Sequence, residues 1–153
     1  MGDLTEHFSW AELTRTDRAE LQASNRIEAE PFRPSVLATA KLMEQVRAIL
    51  GVPVKVNSGF RGSSLNAAVG GSKTSQHMKG EACDWVPVGM ALDVAFALLS
   101  SAVEAGRLKV GQLLSERGWI HVSLGAPYRD AARCGEIGRQ RPDGSVSIDR
   151  RVA

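Results

Sequence analysis

The chain has 153 residues, 43% hydrophobic and 24% charged, which suits one soluble globular domain with a core of its own and leaves little room for a second. Nineteen basic residues against seventeen acidic ones give a net charge of +2, too balanced for the field that nucleic-acid or membrane-surface binding needs. The opening MGDLTEHFSWAEL lacks a basic start followed by an apolar run, and no stretch nears ~18 uninterrupted apolar residues, so neither an export signal nor membrane insertion is expected.

In chain order, the first element is a short helix beginning at Trp10. Ser9 and Glu12 stand at capping-box spacing, and Phe8 with Leu13 at that of a hydrophobic staple. The polar stretch from Asn25 to Arg33 reads as irregular. Pro34 then suits a first helical position, Leu42, Met43, Val46, Ile49 and Leu50 form a stripe, and Gly51 followed by Pro53 ends that helix. Val54 to Asn57 alternates as a strand, which Ser58-Gly59 breaks. RGSSLNAAVGGSKT, from Arg61 to Thr74, is rich in Gly, Ser and Asn and reads as a long loop, a kind of segment that in compact domains usually serves function. A strand is predicted over Glu81 to Val86. Leu92, Phe96, Leu99 and Val103 follow at helical spacing, with Gly106 as the stop, so a second long helix covers about residues 90–105. Two strands come next, from Val110 and from Trp119, joined tightly by Glu116-Arg117-Gly118, and Asp143-Gly144 marks a late hairpin turn. The predicted fold class is α+β: a small, mainly antiparallel sheet with the two long helices packed against it, in a single domain spanning 1–153.

The chemistry concentrates in SQHMKGEACD, residues 75–84. Ala82, Cys83, Trp85 and Val86 belong in a core. Asp84 among them costs free energy unless a salt bridge, a cap or a metal meets it. In WIHVSL, alternation sends Ile120 and Val122 to one face and Trp119, His121 and Ser123 to the other. His77, Asp84 and His121 converge if the two strands are close in one sheet, and two imidazoles with one carboxylate suffice for zinc with a fourth position left for water. On spacing alone other readings stand beside this one: Asp84 as a strand-end cap, His121 as a core histidine, His77 as a loop surface residue. Cys83 and Cys134 belong to no C-x-x-C pair and read as reduced thiols.

Taken in order, SGFR at 58–61, LN at 65–66, VGGSKTSQHMKGEACD at 69–84 and ERGWIHVS at 116–123 resemble the zinc D-alanyl-D-alanine carboxypeptidase family, of hedgehog/D-Ala-D-Ala peptidase fold. More narrowly, they resemble the short phage and prophage branch of bacterial cell-wall peptidases. The resemblance implies one zinc ion held by His77, Asp84 and His121, with Gly80 letting the backbone pass close by. It implies that Arg61 holds the scissile carbonyl oxygen as it gains charge, and that Glu116 is the general base that passes a proton to the leaving amine. Some relatives place that acid where this chain has Gly118; Glu81 is the substitute candidate. Ser75 matches a position near the substrate's carboxylate or backbone, with Gln76 as its assistant, the alternative being that both order the loop, and Trp119 either walls the pocket or packs. The activity implied is zinc-dependent hydrolysis of an amide in the peptidoglycan stem peptide, of D-Ala-D-Ala carboxypeptidase or L-Ala-D-Glu endopeptidase (endolysin) type. The protein is expected to be a monomer that binds no nucleic acid, made in the bacterial cytoplasm without a signal peptide and acting on the wall after release in a phage or prophage setting. The alternative is a catalytically inactive, zinc-stabilised binding module, because a shared fold does not carry activity with it.

Overall fold

The computed structural model describes residues 2–153, which fall into two compact units. One comprises the chain up to Glu44 together with Val56–Cys83, the other Gln45–Lys55 together with Asp84–Ala153.

In the first unit, α1 (Trp10–Leu13) opens with the expected capping box: Glu12 N donates to Ser9 Oγ at 3.1 Å and Ser9 N donates to Glu12 Oε1 at 3.1 Å. Phe8 and Leu13 are both buried beside it. The segment read as irregular is helical. It forms α2 (Gln22–Ala29), and one 3-10 turn over Glu30–Phe32 leads straight into α3 (Arg33–Leu50). The face that α2 buries consists of Asn25 and Ala29, four residues apart. Half of that face is polar, so no apolar period announces it. The loop read over 61–74 likewise contains a helix, α4 (Ser63–Ala68), which buries Leu65 and Asn66. In the stripe predicted for α3, Leu42 and Met43 are buried in this unit, Val46 and Leu50 are buried in the stretch assigned to the second unit, Ile49 is half-buried, and Gly51 follows with a left-handed φ of 71°.

The strands are β1 (Val54–Ser58), β2 (Ala82–Pro87), β3 (Gln112–Ser115), β4 (Ile120–Ser123), β5 (Glu136–Gln140) and β6 (Val146–Arg151). They form one sheet in the order β1-β2-β4-β3-β5-β6, mostly antiparallel, so the fold is α+β. β3 pairs antiparallel with β4, Leu114 opposite His121, and parallel with β5, Leu113 opposite Ile137. β5 and β6 form a hairpin around Asp143-Gly144, where Arg141 N donates to Ser145 O at 2.7 Å. In the second unit α5 (Leu92–Glu104) buries Ala95, Leu99, Ala102 and Val103 and packs on β3. Trp85, Leu113, Ile120, Val122 and Ile137 fill this unit's core. No helix among the described residues is long and apolar enough to cross a membrane.

Candidate metal centre

His77 sits on a single 3-10 turn, Gln76–Lys79, whose start Ser75 caps by accepting from His77 N at 3.1 Å. The turn ends at Gly80 with φ 71°, a conformation that suits glycine and lets the chain swing directly into β2. His77 is 2% exposed, and its Nδ1 lies 2.7 Å from the carbonyl oxygen of Gly59. A carbonyl only accepts, so Nδ1 carries the proton and Nε2 keeps the lone pair a metal needs.

Asp84 lies on β2 and His121 on β4, and His121 Nδ1 is 2.8 Å from Asp84 Oδ1. Their side chains are only 14% and 12% exposed, so the buried carboxylate is met by an imidazole. His77, Asp84 and His121 form the one group of metal-ligating type found among the described residues, each offering a ligand atom within 4.8 Å of the others. Two imidazoles and one carboxylate, largely shielded from water, fit one zinc ion and leave a coordination position over.

The remaining residues named from sequence fall into two clusters. Glu116 and Trp119 flank the β3–β4 turn, where Glu116 N donates to Trp119 O at 2.9 Å and the indole Nε1 donates to Glu116 Oε2. Alternation along this ladder puts Glu116, Trp119 and His121 on one face. Trp119 therefore orients the carboxylate as well as packing beside it. Arg61 belongs to the other cluster. Its backbone N–H donates to His77 O at 2.9 Å, and its Nη2 donates to Ser75 Oγ at 3.3 Å. Ser75 thus orders both His77 and Arg61. Gln76 turns to Glu81, its Nε2 donating to Oε1 at 3.3 Å. Burial raises the Glu81 carboxyl above its ordinary range, with Gln76 and the Lys79 charge pulling the other way.

Three supporting groups escaped the sequence reading. Gly59, seen only as a strand breaker, supplies the carbonyl that fixes the His77 ring. Thr39 on α3 donates from Oγ1 to Gly80 O at 2.7 Å, bracing the turn between His77 and Asp84. Asn25 reaches the backbone on both sides of Arg61. None of these had a legible signal, because each pairs a side chain with a backbone group far away in sequence.

Residues 6–123 match the family model described as Peptidase M15. A stretch of 79 residues is 34% identical to the zinc D-Ala-D-Ala carboxypeptidase of Streptomyces albus G, covering 51% of this chain. The chain spans only 30% of that relative's length.

Proposed function

The chain belongs to the peptidase M15 family, and from that membership we propose that it is a zinc peptidase that hydrolyses an amide bond of the peptidoglycan stem peptide. The observation that carries the proposal is the shielded His77–Asp84–His121 group inside the matched region. We take the bond to be D-Ala-D-Ala, the substrate in the name of the Streptomyces relative. Action on the wall after release, in the manner of an endolysin, belongs to the same proposal.

His77 through Nε2, Asp84 and His121 would hold the ion. When bound, zinc acidifies a water toward neutral pH and polarises a carbonyl. Glu116 takes the proton from the attacking water and returns it to the leaving nitrogen, with the Trp119 indole holding its carboxylate in place. Arg61 presents a fixed guanidinium to the oxygen on which charge develops, and Ser75 limits its swing. Ser75 would meet the substrate's carboxylate or backbone, with Gln76, bonded to Glu81, assisting.

The test is incubation of a synthetic stem peptide ending in D-Ala-D-Ala, and of purified peptidoglycan, with fragments identified by mass spectrometry. D-alanine should be released, the release should stop on chelation and return with zinc, and Glu116→Gln should lower kcat about 10²–10⁴-fold. Cleavage at L-Ala-D-Glu instead would reassign the bond. Full activity of His121→Ala would overturn the metal site, and zinc binding without any hydrolysis would leave a binding module.

A further inference from the structure

We propose that Asn25 is a positioning residue that sets Arg61 for the reaction, acting through the two peptide groups that flank it. The inference rests on the role proposed above for Arg61. Asn25 projects from α2 and is 1% exposed. Its Nδ2 donates to Phe60 O at 3.1 Å and to Thr14 O at 2.9 Å, while its Oδ1 accepts from Gly62 N at 2.7 Å. Two carbonyls on one side and one N–H on the other leave a single orientation for the amide, and no other uncharged side chain of that size offers two donors and an acceptor in this arrangement.

The peptide groups it binds are those immediately before and after Arg61. Neighbouring bonds complete the clamp. Phe60 N donates to Leu13 O at 2.7 Å, and Arg61 N donates to His77 O at 2.9 Å. One turn along α2, Glu28 Oε1 accepts from Ser63 N at 3.1 Å and from Ser63 Oγ at 3.0 Å. Residues 60–63 are therefore gripped by one face of α2 and tied by Arg61's own amide to the backbone of His77. A long, flexible arginine is useful to a transition state only if its Cα is fixed, and displacement of a catalytic group by about 1 Å can cost about 10²-fold in rate. Asn25 supplies that fixation without touching substrate or metal.

The experiment uses the full zinc-loaded chain with Asn25→Ala, the milder Asn25→Ser, Arg61→Ala and the corresponding double variants. Readouts are kcat and KM on the D-Ala-D-Ala peptide, zinc affinity by competition with a chromophoric chelator, and amide hydrogen exchange over residues 60–62. Asn25→Ala should lower kcat about 10- to 100-fold, leave KM and zinc affinity nearly unchanged, and speed exchange at Gly62. On the Arg61→Ala background it should cost nothing further. Undiminished kcat, unchanged exchange, or an equal loss on both backgrounds overturns the inference, the last by showing general destabilisation. Should Asn25→Ala fail to fold, Asn25→Ser carries the same comparison. Full activity of Arg61→Ala by itself would instead refute the role of Arg61, so the two failures are told apart.

Discussion

Gly80→Ala is a sharp test of how the turn that carries His77 is packed. Gly80 holds φ at 71° and ψ at 22°, and a left-handed alanine costs about 1–2 kcal/mol. A Cβ there would lie 2.6 Å from Val36 Cγ2 and 3.4 Å from Val36 N. Val36 is 1% exposed and has nowhere to retreat, so overpacking adds about 1–3 kcal/mol. The sum is about 2–5 kcal/mol of lost stability. Gly89→Ala is the control, because Gly89 has a similar φ of 77° but nothing within 4 Å of its would-be Cβ. Urea unfolding of the metal-free proteins, side by side, reads the difference as a shift in midpoint. Gly80→Ala should lose clearly more than Gly89→Ala, and in a double-mutant cycle Val36→Ala should recover part of the excess. Equal losses at the two glycines would refute the reasoning, because they would leave backbone strain as the whole effect.

Thr39→Val removes the donor to Gly80 O and strands a buried acceptor; it should cost about 1–3 kcal/mol and weaken zinc binding, whereas Thr39→Ser should restore most of both. Trp119→Phe deletes the indole bond to Glu116, and at about 1.5–3 kcal/mol for a bond to a charged group kcat should fall about tenfold or more with little change in KM. Glu136 is buried, which alone would raise its carboxyl, but bonds from Gln112 and Arg151 and the charges of Arg129 and Arg151 outweigh burial and hold it below its ordinary range. A depressed carboxyl contributes stability that is present above the unfolded value of about 4.3 and is lost as pH falls through the folded one. Melting of the metal-free protein should therefore show an acid-side decline below about pH 4.3 that Glu136→Gln flattens; an identical acid limb in the variant would refute the assignment.

The parts of the fold legible in the sequence are those where one face is uniformly apolar. The stripe of α3, the spacing of α5 and the alternation of β4 each declared themselves because burial there is paid in hydrocarbon. α2 did not, since its inward face carries Asn25, whose burial is compensated by three backbone groups from distant segments. α4 was hidden by small and polar residues that also make loops. β5 was missed because its buried positions include Glu136 and Gly138, residues that no strand pattern favours and that only Arg129, Arg151 and the close approach of Ser147 explain. At the site, the residue types and order of the His77, Asp84 and His121 group, which the structure brings within 4.8 Å, could be read. The groups that hold them, Gly59 O, Thr39 and Asn25, could not, because second contacts to backbone leave no motif.

His121 Nδ1 and Asp84 Oδ1 meet across 37 residues of chain, a span that includes all of α5 and β3. A tie between those positions is a loop closure. By the chain-entropy relation a permanent cross-link over that length would disfavour the denatured state by about 4 kcal/mol at room temperature. An ion shared by the two side chains is such a tie, made reversible. Withdrawing it would release a long stretch of polymer at once, so resistance to proteolysis should rise and fall with metal supply.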